Sequence, residues 1–430
     1  MSVRRWLSLI VLIAILGRIA FIVLFDHTLS LQTSGYDTYA VNVMEGHGYT
    51  RYEDRDADSD LPPLYPFFLV GVYKLLGRDP IPVALVQIGL DVLVILLLFW
   101  IGRRVAGDVT GLLAAAFYGF YPYLLYQNLT LNDTGIFILL LVAGIAAAYK
   151  AHDVQDSRYD WRWAVALGIC FGLGALTKSL IILLLPMLAL WWWVEIGFRA
   201  TLRLSLVSGI ALAAVMAPWI IRNTRLHGEL VLLSTNGGSN LHQGNNSCVA
   251  DYLARGWDAQ WVNCLAIVPD DLSEPAADRW HREQAIDYLR ENPGAWPRLF
   301  WTKFWVLWSP AIMPYDLPPD PYLIDDAVLQ YNSTAFQAAR VIHILYFGPL
   351  LLLGILGLTL AWRDKLKIGP LVAVIVAITI TYMLFHPSTR YRSPADPFVF
   401  VLAGYAVTRA WAWIVPRLPE KYRWGAQATT

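Results

Sequence analysis

Seven ionisable residues have types and settings that permit chemistry: Asp37, Asp60, Asp133, Lys178, Arg222, Arg390 and Arg392. A carboxylate held at a helix start beside a low-dielectric surface can take a proton from a hydroxyl nucleophile. Cations fixed next to apolar helices, on the side other charges mark as outside, are costly to keep unless an anion meets them there. Acid and cations together suit a displacement with an anionic leaving group, because fixed positive charge stabilises the leaving oxygen as it develops.

Each residue also has a plainer reading. Asp37, in SGYDTYAVNVMEGHGY, follows a Gly-Tyr turn and precedes a short helix whose Tyr39, Val43 and Met44 are expected to face the membrane; it is a general base there, or it caps that helix. Asp60 stands just before Pro62-Pro63-Leu64-Tyr65-Pro66, whose prolines fix the backbone ahead of another short helix, which makes Asp60 and Tyr65 candidate substrate contacts. Glu53 to Asp58 reads as a solvated acidic turn. Asp133, in QNLTLNDTGIF, orients donor or acceptor hydroxyls or is an N-terminal cap. Lys178 lies in the turn of a helical hairpin and binds phosphate or snorkels; Arg222 binds phosphate or ends its span and pairs with Glu229. Arg390 and Arg392 alternate around Tyr391 between Pro387 and Pro394, so an extended backbone is expected to turn both guanidiniums to one face, as phosphate recognition requires.

These residues need elements to position them, and composition says which. Of 430 residues 57% are hydrophobic and only 15% charged, with apolar runs of helix length, so the chain reads as an all-α polytopic membrane protein. The 33 basic and 33 acidic residues balance, which argues against a general nucleic-acid binder. Spans are expected at 6–25, 81–101, 110–127, 131–149, 162–177, 179–196, 203–220, 336–361, 369–385 and 395–414. Between alternate spans lie Arg4 and Arg5, Arg103 and Arg104, Lys150 with Arg158 and Arg162, Arg199 and Arg203, Arg363 with Lys365 and Lys367, and Arg417, Lys421 and Arg423. All fall on one side, which places both termini in the cytoplasm and the protein in the cell membrane. The first span is too long for a signal-peptide core and lacks a small-residue cleavage site, so it is expected to be retained.

Residues 299–313 are apolar, but a span there reverses every later loop; with Lys303 and tryptophans 296, 301, 305 and 308 they read as an interfacial helix, eleven spans being the alternative. Two outer segments remain, 26–80 and 221–335, and the whole chain forms one integral-membrane domain. The first outer segment is acidic, with short helices expected at about 36–46 and 64–76. Cys248 and Cys264 share the second, where a disulfide stands open in an oxidising compartment; metal binding by them is disfavoured, since His242 and His281 lack compact ligand spacing. Trp257, Trp261 and Trp280 stack on sugars or anchor the interface, and His386 assists phosphate binding or closes a span. A transporter would carry ionisable residues in mid-span, and the strong one here is Asp91. No internal repeat and no dinucleotide-binding glycine motif stand out.

The order of these motifs resembles a known family. Asp37 in a loop helix after the first span, the DxPPLYP run (Asp60 to Pro66), APWIIRN (Ala217 to Asn223) and RYRSPADP (Arg390 to Pro397) look like the GT-C glycosyltransferases of the protein-O-mannosyltransferase and aminoarabinose-transferase type, from about residue 5 to 414. The resemblance implies transfer of a sugar from a polyprenyl-phosphate donor to a glycan, lipid or protein acceptor at the outer membrane face, with Asp37 at the position of the general base. It departs in two places: Thr38 replaces an acidic residue, and Leu61 a basic one. The donor-phosphate role then moves to Lys178, and a bound divalent metal becomes doubtful, Asp60 remaining as one possible ligand. A lipid-linked oligosaccharide ligase or polymerase is the nearest rival reading.

Overall fold

The computed structural model describes residues 2–25, 29–31, 35–53, 56–153, 160–254, 264–311 and 334–415, and every regular element among them is helical. The chain enters with α1 (Val3–Phe25) and makes two short helices, α2 (Tyr36–Glu45) and α3 (Leu64–Leu76). It continues through α4 (Pro80–Ala106), α5 (Asp108–Gly119), α6 (Pro122–Gln127), α7 (Thr134–Asp153) and α8 (Asp160–Ala175). A 3-10 turn (Ser179–Leu183) leads into α9 (Leu184–Ile196), followed by α10 (Phe198–His227). The second outer segment holds α11 (Gly237–Gly244), α12 (Ser247–Ala254), α13 (Glu274–Glu291) and α14 (Ala295–Trp308). The last four are α15 (Thr334–Arg363), α16 (Gly369–Leu384), α17 (Thr389–Arg392) and α18 (Asp396–Ile414).

Seven of these stretches are long and apolar enough to cross a bilayer: α1, α4, α7, Ser179–Ile196, α10, α15 and α18. The expected spans at 162–177 and 369–385 appear as the shorter apolar helices α8 and α16. The one expected at 110–127 is broken into α5 and α6 between Gly119 and Pro122, because Pro122 starts α6 without an amide to continue the ladder of α5. At 14 residues α14 is shorter than a span, with Trp301 and Trp305 exposed on one side and Leu299, Lys303, Val306 and Leu307 turned inward.

Close helix contact rests on glycine. A Cβ on Gly168 of α8 would lie 2.3 Å from the Ser208 carbonyl of α10, and one on Gly357 of α15 would lie 1.9 Å from that of Leu402 on α18. In the apolar interior, Arg18 of α1 gives Asp91 of α4 a 2.7 Å ion pair, and Tyr118 and Asn128 donate to the other Asp91 oxygen. Asp91 is therefore not the single mid-helix charge, and its partner closes the pair internally. At the opposite end from the outer segments Arg104 pairs with Asp153, and Lys367 reaches Glu195 at 3.0 Å.

The outer segments pack on one another. Glu274, at the start of α13, accepts from the Ser59 amide at 2.9 Å and from the Thr235 hydroxyl, so the two loops share one polar seam. A small core of Val249, Tyr252, Leu253, Leu289 and Leu299 surrounds a Cys248–Cys264 disulfide. Trp257 and Trp261 lie outside the described residues, whereas Trp280 packs edge-on to His242 and His281.

Candidate active site

Asp133, Lys178 and Arg390, from three distant parts of the chain, meet in one buried cluster. Asn132 caps α7, its side chain accepting from the Thr134 amide at 2.9 Å, so Asp133 does not cap and is free to project sideways. Lys178, in extended backbone between α8 and the 3-10 turn, donates to both Asp133 oxygens at 2.8 and 2.7 Å. Arg390 reaches the same carboxylate at 3.1 Å. Burial resists ionisation of Asp133, but Lys178 and then Arg390 outweigh it and hold the carboxyl below its usual range. Burial pulls the Lys178 ammonium down, against the support of Asp133. Two fixed cations facing one carboxylate leave the cluster one positive charge in excess, and Arg390 Nε is buried with no hydrogen-bond partner. Such a charge balance can accept an anion.

The RYR segment is not extended. Ser388 caps a helical turn, α17, and two positions apart on a helix differ by roughly 200°, so Arg390 and Arg392 point opposite ways. Arg392 is fully buried: it pairs with Asp396 at 3.1 Å, donates to the carbonyl of Ser309 at 2.8 Å and that of Leu307 at 3.3 Å, and covers the Phe347 ring at 3.8 Å. Its guanidinium braces the start of α18 against the end of α14.

Asp37 occupies the first turn of α2, where Gly35 is the cap residue and makes no side-chain cap bond. The Asp37 side chain does not cap either: one oxygen accepts from Tyr73 at 2.8 Å and Arg78 Nε at 3.2 Å, the other from Arg78 Nη2 at 2.6 Å. It is buried at 6% exposure, while half of the Arg78 side chain remains in solvent. Tyr36, its neighbour, lies against Arg390 and Asp133; burial, then Asp133, pushes its hydroxyl above the usual phenol range. The same helix turn thus touches the cationic cluster through Tyr36 and carries Asp37 beside it. Tyr39, expected to face the membrane, is buried instead and donates to Asp58 at 2.7 Å.

The remaining candidates lie elsewhere. Arg222 donates to the Asp58 carbonyl, the Ser59 hydroxyl and the Tyr49 carbonyl, and stacks over Trp219 at 4.7 Å, bracing the first outer segment. Glu229 pairs with Arg279 rather than with Arg222. Asp60 faces Arg51 at 3.5 Å; burial lifts its carboxyl against the pull of Arg51, with Asp58 and Glu274 adding to the rise. Asp58, read as part of a solvated turn, is held by Tyr39 and by the Arg51 amide at 2.8 Å. Tyr65 is a core residue, its hydroxyl on Gln87 at 2.8 Å and its ring edge-on to Tyr36. Sequence reasoning missed Arg78, Tyr73 and Tyr36. For Arg78 the signal was present, a lone arginine closing a short apolar helix on the outer side. Among the described residues no three His, Cys, Asp or Glu side chains converge on a metal-sized point.

The chain shares its fold with solved archaeal oligosaccharyltransferase structures. Over residues 60–221 it matches the family model described as dolichyl-phosphate-mannose-protein mannosyltransferase. Similar solved structures include the Archaeoglobus fulgidus oligosaccharyltransferase AglB in complex with an inhibitory peptide and a dolichol-phosphate, at 12% identity and a TM-score of 0.55 over 96% of this chain and 51% of that one. The same organism's oligosaccharyltransferase tethered to an acceptor peptide superposes with a TM-score of 0.54 at 12% identity, over 96% of this chain and 50% of its own. ArnT from Cupriavidus metallidurans, bound to undecaprenyl phosphate, gives 0.46 at 15% identity, over 97% and 80%. This chain spans about half the length of the archaeal enzymes. No curated protein matches it in a sequence comparison.

Proposed function

We propose that the protein transfers a sugar from a polyprenyl-phosphate donor to an acceptor hydroxyl at the extracytoplasmic membrane face. The observation that carries the reading is the cluster of Lys178 and Arg390 on Asp133, one positive charge in excess and in contact with the helix turn that bears Asp37. A sugar phosphodiester brings one negative charge, which balances that excess. In the reaction Asp37 takes the proton of the acceptor hydroxyl, the acceptor oxygen bonds to the anomeric carbon, and the anomeric carbon–oxygen bond to phosphate breaks. Its electron pair stays on the polyprenyl phosphate, whose added charge Lys178 and Arg390 stabilise. Tyr73 and Arg78 occupy three of the roughly four acceptor directions of the Asp37 carboxylate and leave one for the proton. Arg222 and Arg392 serve as braces, and Asp60 and Tyr65 shape the surrounding wall. The disulfide supports an oxidising, outward placement for the second loop.

The similarity to an oligosaccharyltransferase that holds dolichol-phosphate favours a second reading, transfer of a lipid-linked oligosaccharide through the same phosphate contacts. Purified protein presented with a panel of radiolabelled polyprenyl-phosphate sugars and polyprenyl-diphosphate oligosaccharides separates the two by which donor is consumed. Asp37→Asn should bind donor as wild type does and lose transfer by about 10²- to 10⁴-fold. Unchanged turnover removes Asp37 as the base. Lys178→Ala and Arg390→Ala should weaken donor binding, and retained affinity in both removes the phosphate reading.

A further inference from the structure

The second outer segment inserts a cation of its own against the end of α16, from which the chain leads on to the proposed phosphate site. Lys303 leaves the inward face of α14 fully buried, and its ammonium donates to the Asn245 side-chain oxygen at 2.8 Å and to the Leu384 carbonyl at 3.2 Å. Asn245 in turn donates to that carbonyl at 2.8 Å and to the Leu241 carbonyl at 2.7 Å, so α14 and the end of α11 close together on the last turn of α16. Gly244 makes the approach possible, since a Cβ there would lie 2.1 Å from the Phe385 carbonyl. From this knot the chain runs through His386, almost wholly buried, whose ring packs edge-on to Tyr391 at 5.1 Å. Tyr391 stacks flat on Tyr382 at 4.7 Å and lies 5.7 Å from the Lys178 ammonium, and Arg390 precedes it in α17.

We propose that Lys303 is a positioning residue for the phosphate site: by tying α14 and Asn245 to the end of α16, it sets the His386–Arg392 turn that delivers Arg390 and Tyr391 to Lys178 and Asp133. The inference rests on the phosphate reading above. A buried ammonium that only filled space would be replaced at no loss by an apolar chain of similar volume, so retaining it calls for a task that its hydrogen bonds perform. Burial draws the ammonium down to about 7, and among the described residues it pairs with no carboxylate: Asp251 and Tyr252 on α12 and Tyr382 on α16 do not shift it, and neither do Arg390 and Arg392, which engage Asp133 and Asp396. His386 is the group that senses its charge. Two carbonyl-type oxygens hold Lys303 in place, a geometry that depends on α14 keeping its depth. The exposed Trp301 and Trp305 on the opposite face of α14 suit an anchor in lipid headgroups.

The test uses the full chain in nanodiscs with polyprenyl monophosphate as probe. Lys303→Met should keep or raise the Tm, since an unpaired buried charge is removed, yet weaken probe binding by about tenfold, the scale typical of a lost supporting hydrogen bond behind a ligand contact. Lys303→Gln, which retains an amide donor, should recover much of the affinity. Wild-type affinity in a folded Lys303→Met overturns the proposal, and so does affinity that falls only in step with Tm across both variants. Lys178→Ala and Arg390→Ala run alongside: if they too bind as wild type does, the phosphate reading fails; if they alone lose binding, only the role of Lys303 fails.

Discussion

At the residue scale, the basic side chains on the outer side divide by what each one faces. Lys178 and Arg390 share a single carboxylate, whereas Arg392 pairs with Asp396, which also accepts from the Tyr121 hydroxyl, and donates to two backbone carbonyls. Removing one partner of a buried pair leaves an uncompensated charge, while removing both leaves an apolar site. Arg392→Met should therefore cost about 3–5 kcal/mol, and the double variant Arg392→Met/Asp396→Leu should recover most of it. Denaturant unfolding of the two proteins in the same detergent checks this; a mild single variant that lost donor binding instead would return Arg392 to the phosphate site. The same distinction explains what the sequence hid. The alternation R-Y-R is the same string in a strand and in a helix, and only the Ser388 cap turns it into α17 and sends its arginines apart. Asp133 was legible as a polar residue at a helix start, but Asn132 accepts from the Thr134 amide while Asp133 turns to Lys178 and Arg390, and that division between neighbours is local geometry rather than composition.

At the element scale, short helices do the positioning while long ones hold the frame. α2 presents Tyr36 to the cationic cluster and Asp37 to Tyr73 and Arg78 within one turn, so a rotation of that helix alters both. The extents of α2 and α3 were legible from the Gly-Tyr and Pro-Pro boundaries. Residue partners were not, since Arg78 is 41 positions from Asp37 and its reach depends on how α3 packs. The disulfide is also an element-scale device: it ties α12 to the start of the following segment around a small apolar core. Closing a loop of 16 residues is worth about 3 kcal/mol in the chain-entropy view. Cys248→Ser should lower the unfolding midpoint of the second outer segment by a corresponding amount, and reductant should reproduce the shift in wild type but leave the variant unmoved. A wild-type midpoint indifferent to reductant would mean the bridge contributes nothing to stability.

At the scale of the whole molecule, polarity is layered. Arg104, Asp153, Glu195 and Lys367 pair at one end, the Arg18–Asp91 pair sits in the apolar middle, and the acidic and cationic loops meet at the other end. The charge bias predicts that the loop end faces outside. Single cysteines placed in a Cys170→Ala/Cys248→Ser/Cys264→Ser background should react with a membrane-impermeant maleimide in intact cells at position 270, and only after permeabilisation at position 365. The reverse pattern would invert the orientation. A buried ion pair in mid-membrane suits a transporter only if its partners exchange, and here Arg18 and Asp91 neutralise one another with Tyr118 and Asn128 donating to the same carboxylate.

The sequence alone determined that this chain is a helical membrane protein, and it singled out acids and bases whose partners it could not name, because apolar run length and the cost of stray charge are read residue by residue. Only the tertiary structure decided which of them meet. Lys178, Asp133 and Arg390 lie as much as 257 positions apart, and Arg390 and Arg392, two apart, were separated into a buried cationic cluster and a structural brace. The physical reason is that an ionic partner in a buried site is chosen by helix packing and capping, interactions that chain distance does not encode.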